Sequence, residues 1–153
     1  MKLLLFMESV VLRFGIIINM FFPKVTKFKK SRKLTAKGTE TRVTGLKFGS
    51  FGLKALGNGR LTSKHIETGR QAINRYIRPF GKMWVRVFAH TPVSSTPLKV
   101  RMGKGKGNVS YWACGIKKGQ ILYEVAGVGS QKAIDALSIG GLKLPFKTKI
   151  VKY

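Results

Sequence analysis

The strongest periodic pattern in the chain predicts a helix over residues 63–78. Apolar or small residues return there at the spacing of one helix face, at Ile66, Gly69, Ile73 and Ile77. Thr62 or Ser63 is a suitable N-cap, because its hydroxyl can accept a hydrogen bond from the first helical turn. Pro79 ends the helix. Arg70 stands at the edge of the apolar stripe, where its side chain can reach a partner.

Strand character is predicted in several further stretches. Residues 82–88 alternate most regularly between apolar and polar side chains. The other stretches are residues 41–48, 53–56, 109–116, 121–126 and 145–151. A turn is predicted at residues 49–52, and Pro92 and Pro97 bracket a loop.

A second helix is predicted over residues 131–142. Ser130 can cap its N-terminus, and Gly140 and Gly141 weaken its end. Strands mixed with two helices predict an α+β fold, in which an antiparallel sheet sandwich has the two helices packed on one side. An extended basic N-terminal arm precedes this fold.

Residues 1–22 fall outside the helix and strand patterns. They are mostly apolar, but charged residues divide them, so no uncharged run approaches the roughly 18 residues of a membrane span. We predict an apolar N-terminal extension that packs on a neighbouring molecule. Residues 23–40 follow as the basic arm, and residues 41–153 form a single α+β domain.

The charge of the chain indicates a polyanionic partner. Lys and Arg number 30 against 5 Asp and Glu, which gives a net charge of +25. Self-repulsion of this size disfavours a compact free chain, and nucleic acid is the common polyanion that relieves it. An anionic membrane surface is the second candidate.

One short segment concentrates this charge on a flexible backbone. We call residues 101–107 the glycine-lysine loop; its members are Arg101, Met102, Gly103, Lys104, Gly105, Lys106 and Gly107. Glycine permits positive φ and close approach of another chain. If the segment is extended, Lys104 and Lys106 project from the same side. It is interpreted as a cationic finger for anionic oxygens; the alternative is a solvated hairpin loop with incidental charges.

The sequence offers little material for catalysis. It has 5 carboxylates and 2 histidines, and no two acidic residues form an evident acid–base pair. The glycine-lysine loop lacks the spacing of a Walker phosphate loop. Cys114 stands alone, so neither a disulfide framework nor a cysteine-rich zinc site is available. We expect no enzyme activity, cofactor, metal or small-molecule substrate.

Four aromatic residues on predicted strands or turns have two interpretations. Phe51, Trp84, Tyr111 and Trp112 can be platforms on which nucleic-acid bases stack, or they can belong to the aromatic core of the sheet. For each ring taken singly, the sequence favours the core.

Several motifs, taken together, resemble a known family. They lie in order at residues 22–30, 48–55, 59–62, 84–88, 97–109, 121–124 and 143–149. The long motif PLKVRMGKGKGNV is the most specific of them. The chain resembles bacterial-type large-subunit ribosomal protein sixteen from about Phe22 to Val151.

This resemblance implies an α+β sandwich bound to large-subunit rRNA beneath the central protuberance. It also implies that 5S rRNA and other ribosomal proteins lie nearby, and that the glycine-lysine loop points towards the peptidyl transferase centre and aminoacyl-site tRNA. The reaction there belongs to RNA, and the protein stabilises the RNA and helps to position tRNA. The implied rRNA-binding residues are Lys24, Lys27, Lys29, Lys30, Arg32, Lys33, Arg60, Arg70, Arg75 and Arg86.

The chain departs from the family pattern at a few places. Gly69-Arg70-Gln71 stands where the family often has Ala-Arg-Arg, and residues 130–141 lack the usual acidic, alanine-rich character. Residues 1–22 precede the pattern. This added segment, with the abundance of Lys, Ile and Phe, predicts an organelle protein of the mitochondrial matrix and mitoribosome. Bacterial cytoplasm and plastid are the alternatives.

Two other function classes are weighed against the ribosomal one. A membrane-surface protein would use residues 1–22 as an anchor and the basic arm for lipid headgroups. An RNA-modifying enzyme would need catalytic groups that the sequence does not supply. The ordered motifs favour the ribosomal hypothesis.

Overall fold

Two helices and two antiparallel sheets make up the part of the chain that the computed structural model describes, residues 21–32 and 35–153. The helices are α1 (Ser63–Ile77) and α2 (Ser130–Gly141). The strands are β1 (Phe51–Ala55), β2 (Gly59–Thr62), β3 (Lys82–Val85), β4 (Thr91–Ser95), β5 (Asn108–Ile116), β6 (Ile121–Ala126) and β7 (Thr148–Lys152). The predicted α+β class is confirmed. Residues 1–20 and Lys33, for which an extension and an RNA contact were predicted, lie outside the described residues.

The strands form a four-stranded and a three-stranded sheet. The order is β3-β6-β1-β7 in the first and β2-β5-β4 in the second. β1 lies between β6 and β7, whereas β5 lies between β2 and β4, and every pairing is antiparallel. Helix α1 contacts β2, β5 and β3, and helix α2 contacts β1, β6 and β7. The helix pair therefore touches both sheets.

Helix α1 follows the sequence prediction closely. The Thr62 hydroxyl accepts a hydrogen bond from the backbone N–H of His65 at 3.2 Å, and the His65 ring nitrogen faces the N–H of Thr62 at 3.5 Å. This is a capping box in which histidine replaces the usual Glu or Gln. The predicted apolar face is buried at all four positions.

Glycine allows two close approaches around the helices. A Cβ at Gly140 would overlap the side chain of Ile73, so α2 lies against α1 with nothing between them. A Cβ at Gly69 would lie 2.6 Å from the hydroxyl of the buried Tyr123. The departure from alanine at position 69 therefore fits this core. Gly140, which was expected to weaken the end of α2, lies within the helix and allows its close contact with α1.

The strand predicted over residues 41–48 is absent. The segment lies beside β6, where the carbonyl of Val43 accepts a hydrogen bond from the N–H of Ile121 at 3.0 Å. Farther along, three successive N–H groups bond to the Glu124 carboxylate instead of to a strand partner. Periodicity could not show this, because the partner lies far along the chain.

Three smaller differences concern strand boundaries. The second half of the turn predicted at residues 49–52 belongs to β1. The loop predicted between Pro92 and Pro97 contains most of β4, an edge strand, where proline is tolerated since its missing N–H need not pair. β2 was not predicted, because its four residues are too short for a visible alternation.

The end of the predicted apolar extension enters the domain. Phe21 is buried in the core, and its carbonyl accepts a hydrogen bond from the N–H of Ala89 at 3.2 Å. Phe22 stacks on Trp112, with ring centroids 6.3 Å apart. The boundary predicted at residue 22 thus passes through residues that pack with the domain. Within the described ranges, no helix is long and apolar enough to cross a membrane.

Candidate nucleic-acid interface

The basic arm and the glycine-lysine loop touch each other. The Lys30 ammonium donates a hydrogen bond to the carbonyl of Lys106 at 2.6 Å, and the Lys106 ammonium donates to the carbonyl of Ser31. The Ser31 hydroxyl donates to the carbonyl of Pro92 in β4 at 3.3 Å. Two segments that the sequence presents as separate are therefore joined into one cationic surface.

The glycine-lysine loop is a series of turns between β4 and β5, not a strand. Gly103 and Gly105 have φ of +89° and +82°, a region that disfavours side chains with a Cβ. At Gly107 the backbone of Ser95 fills the space that a Cβ would occupy. Because the loop is not extended, the condition for Lys104 and Lys106 to share a side is not met. Lys106 turns to the arm, and Lys104 stays exposed.

The described cations of the predicted interface fall into two groups by exposure. Nine are exposed to solvent: Lys24, Lys27, Lys29, Lys30, Arg32, Arg75, Arg101, Lys104 and Lys106. Three arginines of the domain are half-buried: Arg60, Arg70 and Arg86. Solvent-exposed ammonium and guanidinium groups can meet phosphates directly, whereas the half-buried arginines also have partners inside the protein.

Arg86 pairs with Glu124, the most deeply buried carboxylate among the described residues. The side chain of Glu124 is fully buried; one of its oxygens accepts from Arg86, and the other accepts from the backbone of Lys47, Phe48 and Gly49 at 3.1, 2.7 and 2.9 Å. Burial alone raises the pKa of Glu124, but these hydrogen bonds outweigh burial and hold the pKa below its usual value. The predicted RNA contact at Arg86 is therefore also a structural ion pair.

The Arg86 side chain also contacts a pair of stacked aromatic rings on the protein surface. Its guanidinium lies 5.2 Å from the centre of the Phe48 ring, and Phe48 stacks on Trp84 at 6.0 Å. The Lys82 ammonium lies 5.5 Å from the Trp84 ring. Cations and rings attract each other in this arrangement. Trp84 thus stacks on another ring at the surface and is not part of the hydrophobic core of the described residues, to which the sequence had assigned it.

Arg70 forms the second internal ion pair. Its Nε and Nη2 donate to the two oxygens of Glu67 at 2.9 and 2.7 Å. These hydrogen bonds raise the pKa of Arg70. Burial, together with the nearby Glu67 charge, raises the pKa of Tyr123, whose hydroxyl donates to the carbonyl of Ile66 at 2.8 Å. The reach of Arg70 towards a partner is therefore limited by Glu67.

Sequence reasoning treated the acidic residues as scattered and missed these two pairs. Glu67 and Glu124 are the only acidic side chains in the buried set of the described residues. In a chain of charge +25, Glu124 inside the predicted strand over residues 121–126 was the available signal of a buried ion pair. No group of three potential metal ligands occurs among the described residues.

The other three aromatic residues considered for base stacking differ in their burial. Phe51 is buried in the core, and Trp112 is partly buried beneath Phe22. Tyr111, by contrast, is 40% exposed. Of the four rings considered for base stacking, Tyr111 is the one that the fold presents to solvent.

Comparison with known proteins identifies the family of this chain. Residues 23–151 match the family described as Ribosomal protein L16p/L10e. The chain belongs to this family. The large ribosomal subunit protein uL16 of Psychrobacter cryohalolentis is 50% identical over 133 residues, which cover 87% of this chain and 97% of the relative. The protein of the same name from Psychrobacter arcticus has the same identity and coverage.

Membership of the L16p/L10e family confirms the resemblance found in the sequence. The family consists of structural ribosomal proteins, not enzymes, so the chain is a ribosomal protein. Both relatives are bacterial, in agreement with the bacterial alternative for its location. They give no support to the mitochondrial assignment. The matched range begins at Pro23, directly after the apolar extension.

Proposed function

We propose that this chain binds large-subunit rRNA near the central protuberance and helps to position aminoacyl-site tRNA beside the peptidyl transferase centre. The observation that carries the proposal is the joined surface of arm and glycine-lysine loop. Lys30, Ser31 and Lys106 hold the two segments together, and exposed cations cover both. Such a surface suits the closely spaced phosphates of RNA. 5S rRNA and neighbouring ribosomal proteins are further proposed partners.

The arm and the loop are assigned different tasks in this proposal. The arm carries five of the nine exposed cations of the predicted interface. It would hold rRNA by neutralising phosphates, a contact that does not depend on base sequence. The tip of the loop is exposed at Lys104 and fully exposed at Met102, and it would extend towards tRNA. Positive φ at Gly103 and Gly105 gives this tip a narrow backbone that can approach RNA closely.

Site-directed RNA cleavage tests the position of the loop. Lys104→Cys would carry a tethered iron chelate in subunits assembled with the full chain, and Lys132→Cys, an exposed lysine of α2, is the matched control. Cys114 should not react, since it is buried and burial raises its pKa. We expect position 104 to cleave aminoacyl-site tRNA and peptidyl transferase rRNA, and position 132 to spare both. Equal cleavage from the two positions would overturn the proposed placement.

The cellular compartment needs a separate test. Composition predicts a mitochondrial ribosome, while the bacterial relatives agree with the bacterial cytoplasm. Co-sedimentation of the chain with ribosomes from fractionated cells of its source decides between them. Flotation with liposomes instead of sedimentation would support the membrane-surface alternative, for which residues 1–22 were the predicted anchor.

A further inference from the structure

Two adjoining clefts open on the outer face of the three-stranded sheet. Leu61 of β2 pairs with Cys114 of β5, and both side chains point into the core. Side chains alternate along a strand, so Arg60 and Tyr111 belong to the opposite, outer face. Arg60 lies opposite Gly115, which has no side chain to cover it. This places a guanidinium and a half-exposed aromatic ring on one surface.

The first cleft, of about 370 Å³, is formed jointly by the sheet, the arm and the glycine-lysine loop. Its charged lining residues are Arg32, Arg60 and Lys106, and Tyr111 forms part of its wall. The second cleft, of about 450 Å³, shares Arg60 and Tyr111 and adds His65. Volumes of this size suit a small organic ligand. Among the described residues, no carboxylate lines either cleft.

We propose that the paired clefts hold one unstacked nucleotide of a single-stranded RNA segment. Its base stacks on Tyr111, and its phosphate lies among Arg32, Arg60 and Lys106. This inference rests on the proposed function, rRNA binding, and names a site within it. Aromatic side chains receive bases of any sequence because every base has a π-face. Single-stranded loops and bulges of RNA can present such a base, whereas the bases of a duplex are stacked inside it.

The contacts of Tyr111 and Lys106 suit these roles. Phe51, Trp84 and Trp112 are covered by the core or by another ring, while Tyr111 has no ring stacked on it within the described part of the chain. The Lys106 ammonium has three donors, of which the Ser31 carbonyl accepts one. The others can face a phosphate. Since Ser31 and Arg32 form one wall, the site is complete only when the arm is seated.

Binding of the full chain to two RNAs tests the site. One probe is a single strand of about ten nucleotides, within the site size of similar binding surfaces, that carries the fluorescent base 2-aminopurine. The other is an RNA duplex. We expect Tyr111→Leu to weaken binding of the single strand about tenfold, as loss of one stacked base does, and to abolish quenching of the fluorescent base. Binding of the duplex should be unchanged, and Tyr111→Phe should behave as wild type.

Tyr76→Leu is the matched control, because Tyr76 is 46% exposed on α1 and lines neither cleft. If wild type binds both RNAs but Tyr111→Leu binds the single strand equally well, the nucleotide site is wrong and rRNA binding stands. If wild type binds neither RNA, the proposed function fails, and the site fails with it. If Tyr111→Leu does not fold, the test uses the wild-type chain alone. Absence of 2-aminopurine quenching when wild type binds the single strand would then overturn the nucleotide site.

Discussion

Single residues in this chain take their roles from distant partners. Lys104 and Lys106 occupy equivalent places in the glycine-lysine repeat, yet only Lys106 bonds to the arm. Arg70 and Arg86 resemble surface cations in the sequence, yet each faces a buried glutamate. The type of a residue sets which chemistry is available to it, and the fold determines which partner uses that chemistry.

The two lysines of the loop should therefore respond differently to removal. Lys106→Ala should speed cleavage of the arm by trypsin at residues 24–32, because the hydrogen bond from the Lys106 ammonium to the Ser31 carbonyl is lost. Lys104→Ala should leave that cleavage unchanged while lowering the salt slope of RNA binding by about 0.7 to 0.9, the effect of one phosphate contact. Limited proteolysis and RNA binding across a salt series measure the two effects. Identical cleavage of the arm in the two variants would contradict the observed link.

Glu124 should contribute to stability in a pH-dependent way. Glu124→Gln should lower the free energy of unfolding by about 3 kcal/mol, because it leaves the Arg86 charge unpaired in a largely buried position. The pKa of Glu124 is lowered in the folded chain from 4.5. Its contribution is therefore fully present above about pH 4.5 and is lost as the pH falls through the lower folded value.

Urea unfolding of wild type and variant between neutral pH and acid pH measures this effect. The stability gap between them should narrow below about pH 4.5, where Glu124 becomes protonated in the unfolded wild type. Asp135→Asn is the control and should alter stability by less than about 0.5 kcal/mol, because this half-buried carboxylate of α2 accepts only a solvent-exposed hydrogen bond from Gln131. A gap that stays constant with pH would argue against a role for this carboxylate.

At the scale of elements, the packing of α2 on α1 depends on glycine. Alanine at position 140 would favour the helix by about 1 kcal/mol on propensity, but its Cβ would overlap Ile73. Overpacking of this kind costs about 1 to 3 kcal/mol. We expect Gly140→Ala to be destabilising by about 1 kcal/mol in thermal or urea unfolding.

A double-mutant cycle with Ile73→Ala checks the cause. Alanine removes Cγ1 and Cδ1, the two side-chain atoms that the new Cβ would meet. Ile73→Ala alone should cost about 3 kcal/mol as a cavity, and less when Gly140→Ala is present. Strictly additive effects would mean that the clash is not the reason for the glycine.

At the scale of the whole molecule, charge opposes folding of the free chain. With a net charge of +25, self-repulsion should lessen as salt screens it. We expect Tm of the free chain to rise with ionic strength by roughly 3 °C, which corresponds to about 1 kcal/mol for a chain of this size. An rRNA fragment should raise Tm further at low salt. A Tm that does not respond to salt or to RNA would exclude self-repulsion as the limiting factor.

The sequence by itself determined the features that depend on neighbouring residues and on total composition. Helix α1 was predicted almost to the residue, because Thr62, the apolar spacing and Pro79 act within a few positions of one another. The charge, the glycine-lysine loop and the family motifs also need no fold to be recognised. The α+β class followed from the order of these local patterns.

Only the tertiary structure decided the pairings across the chain. Lys106 meets Ser31 across 75 positions, and Arg86 meets Glu124 across 38. The N–H groups of residues 47–49 turn to that same glutamate, which is why the strand predicted there does not form. Tyr111 and Arg60 share a surface because of the register of β2 and β5. Local patterns carry no record of register or topology, since the same short sequence can bond to any strand or carboxylate that the fold brings within reach.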